Sequence, residues 1–204
     1  MKTLPDLHFY FDFISPYGYF AALRIDDLAA AFGRQVEWHP MLLGVSVMKV
    51  MGLKPLLDTP LKGPYTRTDV LRYARRHGIR LGREPGVSPM SPLACGRAFA
   101  WARRHHPAHA KALAREMLDA YWARGIDLSL AESIAGLALP QAIPAAALAL
   151  AIVGGEAAQL LRDEVTASIE SGVFGSPTVV VDGELFWGID KFEQIQRWLE
   201  TGGW

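Results

Sequence analysis

The sequence predicts an α/β fold, a four-stranded mixed sheet interrupted by a large all-helical insertion. Three observations carry that reading. Aromatic and β-branched runs fall only near the two ends, at residues 7–14 and 35–39, then at 178–181 and 184–187. The long middle, residues 40–155, offers helical periodicity broken by proline and glycine, with no convincing strand. One cysteine, Cys95, stands in 204 residues, so no internal disulfide, CxxC pair or cysteine-based zinc cluster shapes the fold.

Leu7 to Ile14 reads as a strand buried on both faces. Ser15-Pro16 then has the form of a helix start, a serine N-cap with proline at the first helical position. Phe20, Leu23, Leu28 and Ala31 recur at helical spacing until Gly33 closes the helix. Gln35 to His39 is a short strand stopped by Pro40, completing a βαβ unit with parallel strands. In the insertion, helices are expected over Leu42 to Met51, Thr66 to His77, Leu93 to His105, Ala108 to Arg124 and Ala145 to Ile152. Glu156 to Ser171 is an amphipathic helix with Leu160, Leu161, Val165 and Ile169 on one side. Asp182-Gly183 is a hairpin signal between Thr178 to Val181 and Glu184 to Trp187. Phe192, Ile195, Trp198 and Leu199 mark a last helix. The order β-α-β, helical insert, α-β-β-α is the thioredoxin-like arrangement. It divides the chain into a split domain, 1–39 with 156–204, and an insertion domain, 40–155.

Composition narrows the function. With 50% hydrophobic and 21% charged residues, the chain buries a core of its own and is not a disordered segment. Twenty-one basic against 21 acidic residues leave a formal net charge of zero, so no basic field exists to hold nucleic acid. The longest apolar run, Ala142 to Val153, has 12 residues and contains Pro144, short of the roughly 20 that cross a bilayer. Met1 to Asp6 contains no apolar leader. A soluble protein of a reducing, cytoplasmic compartment is expected, with no membrane partner.

Active sites in such sheets lie beyond the carboxyl ends of parallel strands. The first strand delivers Ser15 there, at a helix amino end where an anion is favoured. Its hydroxyl can donate to a thiolate or oxyanion, or it can be an ordinary cap. Pro177 opens an inner strand; if cis, it presents the backbone of Ser176 to a peptide-like ligand, and if trans it is a tolerated strand start. Asp190 either caps the last helix or binds an ammonium group. Lys62 and Arg72 are candidates for a substrate carboxylate, beside Tyr65. His39 reads as a satisfied structural histidine. His105, His106 and His109 form a solvated basic face rather than a metal site. Trp101, Trp122, Trp187 and Trp198 read as core or interface residues.

These segments together resemble the 2-hydroxychromene-2-carboxylate isomerase family, which belongs with kappa-class glutathione transferases in the DsbA-like thioredoxin superfamily. The resemblance rests on Phe11-Asp12-Phe13-Ile14-Ser15-Pro16-Tyr17, Gly172-Val173-Phe174-Gly175-Ser176-Pro177-Thr178 and Phe186-Trp187-Gly188-Ile189-Asp190. It extends to His39-Pro40-Met41-Leu42-Leu43-Gly44, to Pro60-Leu61-Lys62-Gly63-Pro64-Tyr65, and to Asp69, Arg72 and Gly78. It implies glutathione as cofactor, an aromatic 2-oxo acid as substrate and a homodimer. By the same resemblance Ser15 replaces the first cysteine of a CxxC and stabilises the glutathione thiolate. Ser176, before a cis Pro177, would hold the cysteinyl backbone, Asp190 the γ-glutamyl ammonium, and Lys62 and Tyr65 the substrate side. A transferase of another electrophile and a non-catalytic binding protein are the alternatives. Ser15-Pro16-Tyr17-Gly18 in the CxxC place excludes a dithiol oxidoreductase.

Overall fold

A computed structural model describes residues 7–204; the reading of Met1 to Asp6 lies outside them. Strands β1 (Leu7–Phe11), β2 (Val36–Pro40), β3 (Thr178–Val181) and β4 (Glu184–Trp187) form one sheet in the order β2-β1-β3-β4. β1 runs parallel to β2, pairing Leu7 with Val36 and Phe11 with Pro40. β3 is antiparallel to both β1 and β4, so the sheet is mixed as expected. At the hairpin Asp182 and Gly183 have φ of 52° and 91°, the left-handed pair that a two-residue turn of this hand requires. Arg34 fixes the turn through a 2.8 Å bond to Asp182.

The first crossover differs from its sequence reading. β1 ends at Phe11 rather than Ile14, because the Asp12 carboxylate accepts the Ile14 N–H and turns the chain. The single helix expected to Gly33 is two, α1 (Pro16–Ala22) and α2 (Ile25–Ala30). The break at Leu23 and Arg24 leaves Leu23 exposed and rotates Ile25 fully into the core. α1 is therefore only seven residues long.

The insertion is helical, as read. A π-helical turn (Gly44–Val50) and a 3₁₀ turn (Leu56–Asp58) lead into α3 (Lys62–Arg76). α3 starts four residues before Thr66, since Pro64 is tolerated in a first turn. α4 (Leu93–His105), α5 (Pro107–Trp122), α6 (Ala131–Ala135) and α7 (Ala145–Val153) follow. α6 is too short to show a period. α8 (Gly155–Glu170) bends by 68° from α7, and α9 (Phe192–Thr201) ends the chain. Among the described residues no single helix is long and apolar enough to cross a membrane.

The inward residues of β1 and β2 decide where the core sits. Phe9, Phe11 and Trp38 are buried, and Phe11 meets Phe99 of α4 edge-on with ring centroids 5.4 Å apart. One buried cluster runs from Leu7 through Phe99, Leu118 and Leu148 to Val179. The insertion therefore shares its core with the sheet, and that continuity fixes the turn after β1 in place.

Candidate functional site

The site is built from two loops that meet beyond the carboxyl end of β1. Ser15 caps α1, its Oγ accepting the Gly18 N–H at 3.0 Å, and only 3% of the residue is exposed. The same hydroxyl donates to the Ser176 carbonyl at 3.0 Å. The Ser176–Pro177 peptide bond is cis, as the clamp reading requires. Ser176 Oγ in turn accepts the Asp12 N–H at 3.0 Å. The cap and the proline loop are thus joined directly, across 161 residues of sequence.

Ser15 is a helix cap whose hydroxyl proton also points at the proline loop. α1 has only seven residues, so the macrodipole of a long helix is not available here. Among the described residues, the Ser176 N–H has no hydrogen-bond partner, although Ser176 is half-buried. An unpaired amide beside a committed carbonyl is the donor and acceptor pair that an extended peptide ligand needs.

Asp12 is the residue that sequence reasoning missed. It is fully buried and accepts from Ile14 N at 3.2 Å and from Leu43 N at 2.7 Å. Burial pushes its carboxyl up to about 6, against the pull of those two amides. Its signal was a lone acid in an aromatic run. Gly18 is the second omission. A Cβ there would lie 2.7 Å from Ser176 Oγ and 3.3 Å from the Asp12 carbonyl, so only glycine lets α1 approach the proline loop. Trp122 closes the floor, donating from Nε1 to the Phe13 carbonyl at 3.0 Å.

Lys62 and Tyr65 lie in the first turn of α3, both exposed. That helix docks on α1: Tyr17 donates to Asp69 at 2.7 Å, and Tyr73 stacks on Phe20 at 4.7 Å. Lys62, Tyr65 and Asp69 recur at helical spacing, so they share the face turned toward Tyr17. Lys62 has no ion-pair partner among the described residues. Arg72, the other carboxylate candidate, is exposed and pairs with Asp69 at 3.0 Å.

Asp190 does not cap α9. It is exposed, in a short 3₁₀ turn after Gly188, and pairs with Lys191 at 3.1 Å. Of the two readings of Trp187, core or interface, exposure removes the core one. It is 51% exposed, its indole lies over Gly175, and Phe174 meets it edge-on at 4.8 Å. Cys95 is buried, and desolvation raises its thiol far above the ordinary value, so it takes no part in thiol chemistry. A surface depression of about 450 Å³, lined by Tyr19, Leu23, Ile79, Arg80, Asp119 and Arg124, contains none of the candidate site residues.

Comparison with known proteins matches this arrangement. The DSBA-like thioredoxin domain matches residues 6–200. A 2-hydroxychromene-2-carboxylate isomerase of Sphingobium xenophagum is 26% identical over 194 residues, covering 95% of this chain and 97% of that protein. Glutathione S-transferase kappa 1 of Caenorhabditis elegans is 36% identical over 86 residues, 42% of this chain and 38% of its own. A solved 2-hydroxychromene-2-carboxylate isomerase superposes with a TM-score of 0.79 at 24% identity, over 96% of this chain and 95% of the other. With the mixed sheet, the cis-proline loop and the serine cap facing it, the chain belongs to the DSBA-like thioredoxin family, as a relative of the 2-hydroxychromene-2-carboxylate isomerases and kappa-class glutathione transferases.

Proposed function

We propose that this protein is a glutathione-dependent cis–trans isomerase of aromatic 2-oxo acids of the 2-hydroxychromene-2-carboxylate or ortho-hydroxybenzylidenepyruvate type. The observation that carries the reading is the Ser15 hydroxyl, capping α1 and lying 3.0 Å from the Ser176 carbonyl next to cis Pro177. One relative is named for this isomerisation and another for glutathione. Cys95, a buried free thiol, fits the cytoplasmic location that the reading assumes.

The residues present fit glutathione. The unpaired Ser176 N–H and its carbonyl match the cysteinyl backbone of a peptide, and Asp190 offers a carboxylate for the γ-glutamyl ammonium in exchange for Lys191. Bound glutathione supplies a thiolate whose reversible addition to a conjugated 2-oxo acid turns a double bond into a rotatable single bond. Ser15 rotates its hydroxyl from the Ser176 carbonyl toward the sulfur, and its donated proton favours thiolate over thiol. Tyr17, held by Asp69 at 2.7 Å, and Tyr65 in the first turn of α3 would line the substrate side. Lys62 offers its ammonium to the substrate carboxylate, which fixes the acid relative to Ser15.

Ser15→Ala tests the reading. Losing one charge-assisted hydrogen bond costs about 1.5–3 kcal/mol, a loss of roughly 10- to 150-fold in thiolate stabilisation and turnover. The measurement is ultraviolet thiolate absorbance of bound glutathione against pH, beside isomerisation of an ortho-hydroxybenzylidenepyruvate. An unchanged thiolate titration with unchanged turnover would leave Ser15 as a cap only. Consumption of glutathione during turnover would point instead to a transferase, and binding without turnover to a carrier.

A further inference from the structure

Alternation along β1 and β2 puts a second polar group on the face opposite Phe9, Phe11 and Trp38. His8 pairs in register with Glu37, and Tyr10 with His39. His8 lies at the start of β1, while Ser15 lies beyond its end, so this group is separate from the site described above. His8 Nδ1 is 3.1 Å from His39 Nε2, and each of these nitrogens is 3.6 Å from Glu37 Oε2. A tetrahedral ion with bonds of about 2.0–2.2 Å to imidazole nitrogen and carboxylate oxygen sets its ligand atoms about 3.3–3.6 Å apart. The three observed separations bracket that spacing.

The surroundings are those of a held ligand. The other ring nitrogen of His39, Nδ1, lies 3.2 Å from Glu164 Oε2 on α8; in the tautomer that donates this N–H to the carboxylate, the Nε2 lone pair faces His8 and Glu37. Tyr10 stacks on the His39 ring, 4.7 Å between centroids and 20° between planes. Arg103 reaches His39 Nδ1 as well, at 3.2 Å, yet gives its short bond to Glu164. Arg103 and Glu164 form an ion pair, and Glu37 adds one formal negative charge to the group. His8 and Glu37 have side chains 41% and 50% exposed, so an ion can enter and keep one position open to water.

We propose that His8, Glu37 and His39 form a divalent-metal site of the zinc class, with three protein ligands and Glu164 orienting His39. Two imidazoles and one carboxylate favour Zn²⁺ and Co²⁺ over Mg²⁺ and Ca²⁺, which prefer oxygen shells. The alternative is a hydrogen bond between the two histidines with no affinity for metal.

The test uses the full chain, free of any affinity tag and stripped by a chelator. Co²⁺ is titrated while the visible absorption of tetrahedral cobalt is followed, and Zn²⁺ is titrated by calorimetry. One equivalent should bind with Kd at or below about 10 μM. Glu164→Gln should weaken it by about 10- to 100-fold, and His8→Ala should abolish the tetrahedral cobalt spectrum. Glu37→Gln, at an exposed position, serves where His8→Ala changes the metal-free melt. His105→Ala, whose histidine pairs with Glu156 elsewhere, should leave binding unchanged. Absence of saturable binding below about 1 mM, or binding indifferent to His8→Ala and Glu37→Gln alike, would overturn the site.

Discussion

Asp12 concentrates the logic of the fold in one side chain. It ends β1, anchors Leu43 at the entry to the insertion, and through its own N–H positions Ser176. Its carboxyl titrates near 6 in the folded chain against an ordinary 3.8, because burial penalises the charge. Between those values the folded chain holds a proton that the unfolded chain has released. Stability from this group is therefore complete below about 3.8 and falls as pH rises to about 6. About two pH units correspond to roughly 3 kcal/mol. Asp127 and Glu164 are held below their ordinary values and act the opposite way only beneath about pH 4.5, while the exposed His77, held below its ordinary 6.5, opposes the fall at the upper end of the window from 4.5 to 6. Urea melts across that window should show stability falling with pH in the wild type and a flatter profile in Asp12→Asn. Parallel profiles would mean that Asp12 is not the titrating group. The aromatic run made Asp12 look like part of a strand, and nothing local announces that a distant loop supplies its amide partner.

At the level of elements, α1 must lie against the proline loop without a side chain between them. Gly18→Ala supplies a better helix former, worth about 0.8–1.0 kcal/mol. Its Cβ would nevertheless fall 2.7 Å from Ser176 Oγ, 3.2 Å from Ser15 Cβ and 3.3 Å from the Asp12 carbonyl. Overpacking of this kind costs about 1–3 kcal/mol. A lowered Tm together with weakened glutathione binding is the expected result. A raised Tm with unchanged binding would show that the two elements can part at no cost. The interior of most elements was legible from period and punctuation. Leu93–His105, Thr178–Val181 and Glu184–Trp187 fall where their residues predict. The divided α1 and α2 were not legible, because Leu23 and Ile25 both suit a continuous helix and only the core chooses between them.

Over the whole molecule, the order of strands and helices could be read because each sheet half carries its own β-rich run and turn. The joining of Ser15 to Ser176 followed from that order, whereas Asp69 holding Tyr17 and Arg72 depends on how α3 docks, which no local pattern encodes. The same view bears on assembly. The segment 48–61 leaves Met48, Val50, Met51, Leu53, Leu56 and Leu61 exposed, with Leu61 at 88%. The chain has a formal net charge of zero, so little long-range repulsion opposes a second copy. We expect a homodimer in which this segment is covered, burying at least about 1,000 Å² in total. Light scattering at micromolar concentration should give twice the 22.4 kDa of the chain. Paired Val50→Lys and Leu61→Lys substitutions should shift it to monomer, since two ammonium groups on an apolar contact must be desolvated without partners. Both positions are exposed, so the fold should survive, and an unchanged far-ultraviolet spectrum checks that. A 22.4 kDa particle for the wild type would refute the dimer, and a dimer indifferent to both lysines would place its contact elsewhere.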